Sequence, residues 1–303
     1  MNLLVIGGLG YVGSRICKTL AGLSFDVTVV DDCRRGLWDG GSGLNLLRQP
    51  YNTLSKEAIQ PFDAVLWFGG HSSVPLSVAD PSGAVKNNCT DLIQLVEKIN
   101  PEVPFVYAST GSLYSKCEGD IAPSSESELA RIPEYNAYDC SKFAFDYLLP
   151  NIRDNFFGLR FGTISGFSDS LRPELIFNKM NIDAFFKKKI ELMNPNAFRS
   201  ILFLNDLERF IERLLTRELK PDPGFYNLSS WTGSVGDLAN LISSIWDAPI
   251  FDLGESRTYS FMLDCKKASC LVSSMGIQDS RERIVSESTE FIESIRKSGF
   301  SYV

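Results

Sequence analysis

Residues 2–8, NLLVIGG, and the stretch that follows at 11–23, YVGSRICKTLAGL, decide how this chain is read. A short apolar run closed by glycines reads as a buried strand, and the residues after it repeat their apolar positions at helical spacing. DVTVVDD (26–32) is a second buried strand. Strand, helix, strand, with the strands apolar on both faces, predicts a parallel sheet joined by right-handed crossovers. Outward from this unit the alternation continues: strands at DAVLWFGG (63–70), VPFVYAST (103–110) and FFGLRFG (156–162), and helical stretches at AVKNNCTDLIQLVEKI (84–99) and SKFAFDYLLPNI (141–152). This is the doubly wound α/β pattern. After about residue 165 the order loosens, with separate helices expected at 206–219, 234–246 and 286–298.

Composition narrows what such a sheet is for. The 303 residues are 44% hydrophobic and 22% charged, which marks a folded chain rather than a disordered one. A net charge of -7 argues against a nucleic-acid or anionic-membrane surface, although a few backbone N–H groups suffice for one small anion. The run Lys187-Lys188-Lys189 reads as a solvated face. Seven cysteines, at 17, 33, 89, 117, 140, 265 and 270, form no CxxC pair, and one histidine, His71, leaves a zinc site little to draw on, so no metal is expected. Free thiols, an N-terminus that runs straight into a strand, and no apolar run near the ~18 residues of a membrane span lead us to expect a soluble cytoplasmic protein.

GGLGYVG sets Gly7, Gly10 and Gly13 between a strand and a helix. Glycines there let the backbone approach a pyrophosphate, while the helix start offers unpaired N–H groups and a positive dipole end. Asp31, at the end of the next strand, is where a carboxylate can accept the adenosine ribose hydroxyls. Together they predict dinucleotide binding. The acid repels a 2'-phosphate and favours NAD; Arg34 and Arg35 just beyond keep NADP open.

YDCSK (138–142) puts Tyr138 and Lys142 four apart, on one helical face. Spacing alone leaves an ordinary surface pair open. A free phenol titrates near pH ~10 and is a poor base at neutrality unless a cation favours the phenolate.

Glycine loop, strand-end acid, YASTGSLY and YDCSK, in this order along one sheet, resemble the extended short-chain dehydrogenase/reductase family, specifically its NAD-dependent nucleotide-sugar epimerases and dehydratases. WFGGHSSV, NNCTDL, RSILFLNDL, YNLSS and DCKKASCLVSSMG match further segments in order, across nearly the whole chain. The resemblance implies a Rossmann sheet over 1–165 with a smaller α+β substrate-binding portion over 166–303, segments of the two being free to interleave. It implies a homodimer through helices near 88–99 and 140–150.

For the cofactor the resemblance implies Gly7, Leu9, Gly10, Tyr11, Val12 and Gly13 in the glycine loop and Asp31 and Asp32 after the second strand. Phe68, Gly69 and Gly70 follow the fourth strand, joined by Asn88, Ser109, and Tyr138 and Lys142 at the nicotinamide ribose. Tyr138 is then the acid/base toward a sugar hydroxyl, and Lys142 lowers its pKa. Thr110 is the hydroxyl beside the reacting oxygen, preferred over its neighbour Ser109. His71 and Ser72 line the crevice, Thr163 stands where the family's substrate-touching Asn does, and Arg199, with Arg257, grips the diphosphate.

Some residues depart from the family pattern. Gly111-Ser112 follow Thr110 where the dehydratases carry Asp-Glu, which disfavours 4,6-dehydration. Trp67 replaces the family's usual His, and Asn52 is the candidate for a missing adenine-side acid. The implied activity is C4 epimerisation of a nucleoside-diphosphate sugar. An NAD(P)H-dependent reductase of 4-keto sugars and a non-catalytic dinucleotide-binding regulatory protein are the alternatives.

Overall fold

The computed structural model describes residues 1–35, 38–115, 122–128, 136–216, 221–276 and 280–300. Strands β1 (Asn2–Ile6), β2 (Asp26–Asp31), β3 (Leu44–Arg48), β4 (Ala64–Trp67), β5 (Phe105–Thr110) and β6 (Phe156–Phe161) are parallel. Beyond them come β7 (Thr163–Ser165), β8 (Ile190–Leu192), β9 (Phe198–Phe203), β10 (Gly224–Leu228), β11 (Trp231–Ser234) and β12 (Ile250–Asp252). β10 returns to pair with β6, so the sheet has seven strands in the order β10-β6-β5-β4-β1-β2-β3. The segment around YNLSS, read as part of the smaller portion, thus supplies an edge strand to the main sheet.

The sheet is covered on both faces because its strands are apolar at successive positions. Leu3 and Val5 of β1 enter one core and Leu4 and Ile6 the other. Strand order reverses between β1 and β4, which opens a crevice at the carboxyl ends of both. Helix α1 (Tyr11–Gly22) starts at this point.

The helix expected over 84–99 is broken. After the short α2 (Lys56–Ile59) and α3 (Val74–Ala79), α4 (Pro81–Val85) and α5 (Asp91–Lys98) are separated by a π-helical turn at Lys86–Thr90. The turn swings the fully buried Asn88 side chain toward the crevice, a local cost of the kind π-bulges carry at functional sites.

Helix α6 (Ala137–Ile152) begins on Asn136, whose side chain accepts from the Asp139 N–H, and carries Tyr138 and Lys142 in its first turns. The remaining helices are α7 (Ile176–Ile182), α8 (Leu204–Thr216), α9 (Val235–Trp246), α10 (Lys266–Ser269) and α11 (Arg281–Ser298). The last residues of the helix expected over 206–219 lie outside the described residues, as does Cys117. The small strands form a sheet β11-β9-β7 and a pair β12-β8. Among the described residues the six cysteines form no disulfide, and no helix is long and apolar enough to cross a membrane.

Candidate active site

The three loop glycines answer to different demands. Gly7 has φ +77°, and a Cβ there would lie 2.4 Å from the Gly69 Cα. A Cβ on Gly13 would lie 2.1 Å from the Gly7 carbonyl oxygen. Both are required by the protein's own packing. A Cβ on Gly10 would meet only the Gly7 oxygen, at 3.4 Å, so nothing in the described residues forbids a side chain there. Gly10 is the N-cap of α1 and no side chain caps that end, which leaves the first-turn N–H groups open to an approaching anion. This open cradle fits a dinucleotide pyrophosphate.

The Asp31 carboxylate is held at the crevice edge by N–H donors from Leu9 (2.9 Å) and Cys33 (2.8 Å). Asp32 pairs with the exposed Arg34 at 3.2 Å. Leu9 and Tyr11 are buried, the Tyr11 hydroxyl donating to the Gly166 carbonyl at 2.7 Å, and Val12 packs on the core. Loop contacts to a ligand therefore fall to backbone.

After β4, Phe68 packs on the core and Gly69 and Gly70 form the opposite wall. Asn88 pegs this wall to α6: its Oδ1 accepts from the His71 N–H (2.7 Å), and its Nδ2 donates to the His71 carbonyl (3.2 Å) and to Ser141 Oγ (3.0 Å). Burial first, then the Arg35 charge, hold the His71 imidazole below its usual pKa, and its buried Nδ1 has no hydrogen-bond partner among the described residues. Ser72 Oγ accepts from Arg172 at 3.4 Å. Asn52 donates to Asp91 at 2.9 Å rather than standing free at the adenine side.

Lys142 and Tyr138 reach the crevice from α6. The Lys142 ammonium donates to the Ala108 carbonyl at 2.7 Å and lies 4.4 Å from the centre of the Trp67 ring, and a Cβ on Gly70 would fall 3.0 Å from it. Burial pushes its pKa down to about 7, against the pull of Asp146. Tyr138 is pushed up to about 12, by burial first; Thr110 hydrogen bonding and the Arg172 charge draw it down, and Asp139 and Asp146 raise it.

The Lys142 charge is thus engaged within the wall in this structure. The ammonium donates to Ala108 and lies over Trp67, and Arg172, which no spacing marked, is a cation that draws the phenol's pKa down. Thr110 and Ser109 also separate: Ser109 Oγ donates to the buried Asp146 carboxylate at 2.8 Å, so any ligand contact of Ser109 is left to its backbone. Asp146 is itself paired with the buried Arg160 at 2.8 Å, and this ion pair anchors α6 to β6.

On the far side Arg199 is partly buried. It donates to the Phe198 carbonyl (3.0 Å) and Thr258 Oγ1 (2.7 Å), pairs with no carboxylate among the described residues, and is pushed down by burial to about 10. A poorly solvated guanidinium without a counter-ion is suited to an anion. Arg257, exposed, is next to Thr258, and Thr163 is half-buried on β7 in register with Ile201 of β9. Tyr259, two residues past Arg257, donates to Asp139 at 2.6 Å, a link without any sequence signal.

Comparison with known proteins bears on this crevice. The chain is 29% identical over 154 residues to UDP-glucose 4-epimerase of Corynebacterium glutamicum, covering 49% of this chain and 46% of that protein. It is 29% identical over 181 residues to UDP-glucose 4-epimerase of Lacticaseibacillus casei, 55% and 51% of the two chains. The match spans about half the length of these relatives.

Among solved structures, UDP-glucose 4-epimerase of Thermotoga maritima with UDP-glucose has TM-score 0.80 at 20% identity, covering 97% of this chain and 100% of that one. UDP-glucuronic acid 4-epimerase of Bacillus cereus with UDP-glucuronic acid and NAD has TM-score 0.78 at 20% identity, covering 97% and 100%. The NDP-hexosamine 5,6-dehydratase TunA has TM-score 0.79 at 18% identity, covering 97% and 98%. These likenesses establish the shared fold. A family model spans residues 3–229, from β1 through the strand that closes the sheet beside β6, and with it the chain belongs to the NAD dependent epimerase/dehydratase family.

Proposed function

We propose that the protein is an NAD-dependent epimerase that inverts C4 of a nucleoside-diphosphate sugar. One observation carries this reading. Thr110 ends β5 and Tyr138 stands in the first turn of α6, the helix packed on that strand, while Arg199, paired with no carboxylate among the described residues, stands on β9. A neutral sugar hydroxyl at one end and a diphosphate at the other suit those two ends.

Gly7, Leu9, Gly10, Tyr11, Val12 and Gly13 would hold the pyrophosphate, Asp31 with Asp32 the adenosine ribose, and Phe68, Gly69, Gly70, Asn88 and Ser109 the crevice wall. NAD, when bound, supplies the hydride acceptor and donor. Tyr138 would take the C4 hydroxyl proton and later return it to the same oxygen, inversion coming from the face of C4 that is presented on the way back. Thr110 orients the reacting oxygen, and Lys142, pinned by Ala108, directs its charge toward the nicotinamide ribose. Arg199 and Arg257 bind the diphosphate, while His71, Ser72 and Thr163 border the sugar. The Asp31 carboxylate at the crevice edge, which repels a 2'-phosphate, supports NAD over NADP.

We also propose a cytoplasmic homodimer through α5 and α6, whose Tyr147 (68% exposed) and Leu148 stand outward. Sedimentation of the purified protein tests the dimer.

UDP-sugars are the first substrates to try, since the relatives' names carry them. The deciding assay incubates the NAD-loaded protein with UDP-, GDP-, CDP- and dTDP-sugars and reads C4 configuration by NMR. Inversion without net cofactor consumption is expected. Stoichiometric loss of NADH with a 4-keto sugar instead makes the protein a reductase.

A further inference from the structure

Trp67 departs from the family pattern, and the mechanism above gives it no role. It is 0% exposed at the end of β4, and its indole lies under the crevice wall: a Cβ on Gly69 would fall 3.6 Å from Nε1, and a Cβ on Gly70 would fall 3.0 Å from Cη2. Tyr51 packs edge-on against the ring, with centroids 6.1 Å apart and planes at 82°, and is itself anchored by donating to the Asn87 carbonyl. The indole is therefore a fixed surface.

The Lys142 ammonium rests on that surface, 4.4 Å from the ring centre and well inside the ~6 Å reach of a cation–π contact. Ala108 accepts one N–H at 2.7 Å. Gly70 closes the slot, since a Cβ there would fall 3.0 Å from Nζ and 3.2 Å from Asn88 Oδ1. The titratable groups around Lys142 among the described residues are Tyr138 and Asp146 on its own helix and His71 across the wall. Asp146 is engaged elsewhere, with Arg160 of β6 and with Tyr107 and Ser109 of β5.

No carboxylate among the described residues pairs with Lys142, although the residue is only 3% exposed. A buried ammonium with neither water nor a counter-ion tends to shed its proton. The ring supplies an electron-rich partner without the drawback of a carboxylate, which would bind the donors themselves. An ammonium has three N–H groups; Ala108 takes one and, even with a second turned to the ring, a third is left without a protein acceptor among the described residues.

We propose that Trp67 is a positioning residue for Lys142: its ring face stands in for a counter-ion, holding the buried side chain as an ammonium with a donor free for the crevice. The consequence for the cofactor rests on the reading of Lys142 as the group that meets the nicotinamide ribose. The contact between ring and ammonium does not.

The test compares Trp67→Phe with Trp67→Leu. Both remove nearly the same volume, so a gap or an entering water is common to the two, and only phenylalanine keeps a π face. Lys142 is followed by 13C-lysine NMR of the protein without NAD, with Lys142→Met giving the assignment. Burial holds this lysine down to about 7 against the pull of Asp146, which sets its midpoint apart from ordinary lysines near pH ~10.4. The midpoint in Trp67→Leu is expected about one pH unit or more below that in Trp67→Phe, the size of a cation–π contact out of water. Calorimetric Kd for NAD should weaken as pH rises through each midpoint, and so at lower pH in Trp67→Leu.

Equal midpoints in the two variants, or a lower one in Trp67→Phe, overturn the proposal. Should Trp67→Leu fail to fold, biosynthetic replacement of tryptophan by fluorinated tryptophans withdraws charge from the ring at nearly constant shape. The Lys142 midpoint is then expected to fall with each added fluorine, and an unmoved midpoint refutes the contact. A Kd that follows the midpoint in no protein overturns the free donor's role toward the ribose. If wild type binds no NAD, the cofactor reading fails, and the midpoints alone decide the role of Trp67.

Discussion

Adding one methyl group to the glycine loop should separate folding from cofactor binding. At Gly13 a Cβ would sit 2.1 Å from the Gly7 carbonyl oxygen and 2.6 Å from the Gly8 Cα, both backbone atoms that cannot rotate away. Gly13→Ala must push α1 off the sheet, an overpacking cost of about 3 kcal/mol. At about 2–4 °C per kcal/mol for a chain of this size, the melting temperature should fall by about 6–12 °C. At Gly10 φ is -75°, which any residue adopts, and the nearest contact is 3.4 Å. Gly10→Ala should cost only about 1 kcal/mol as a poorer N-cap.

The Gly10 methyl nonetheless occupies the approach to the open N–H groups. A displacement cost of about 1–3 kcal/mol there is a 5- to 150-fold weaker Kd for NAD, taking about 1.4 kcal/mol per factor of ten. Calorimetric titration with NAD and thermal melts without it give the two numbers for each variant. Wild-type NAD affinity in a folded Gly10→Ala protein would refute the assignment of this helix end to the pyrophosphate.

Three further outcomes are expected. Arg199→Gln should weaken UDP binding by calorimetry about 10- to 150-fold, the loss of charge-assisted bonds worth about 1.5–3 kcal/mol, and an unchanged Kd counts against Arg199 as the diphosphate anchor. Asp146→Asn should destabilise by about 3–5 kcal/mol in denaturant titration, because it leaves the 2%-exposed Arg160 buried without its partner; a loss under 1 kcal/mol contradicts the buried-pair reading. Burial raises Glu287 to about 7 despite Arg283, so the stability its neutral form contributes is present below its ordinary 4.5 and lost as pH rises through about 7. Glu287→Gln, permanently neutral, should therefore melt close to wild type at about pH 5 and a few degrees higher at about pH 8; equal melting at both pH values contradicts the shift.

Legibility in the sequence followed the range of the interaction. The parallel sheet was readable because NLLVIGG and DVTVVDD must bury every successive side chain, a constraint each strand carries alone. The loop glycines were readable as a group, but only atom positions across the crevice distinguish Gly7 and Gly13, held by Gly69 and by the loop's own backbone, from Gly10, held by nothing. Tyr138 and Lys142 were readable from one helical turn, whereas the state of each was not. The Lys142 ammonium is drawn to Ala108 and Trp67 from two other strands, and the phenol answers to Arg172 and Asp139.

Local periodicity and short spacings thus determined the doubly wound sheet, the position of the dinucleotide loop and the helix bearing Tyr138. The tie of Ser109 to Asp146, the burial of Arg199 without a carboxylate partner among the described residues, and the return of residues 224–228 to the main sheet were decided only by tertiary structure. Burial and charge pairing depend on residues such as Tyr259 and Asp139, 120 positions apart, that no stretch of chain holds together. A sequence pattern records what neighbours along the chain must do, and desolvation is set by neighbours in space.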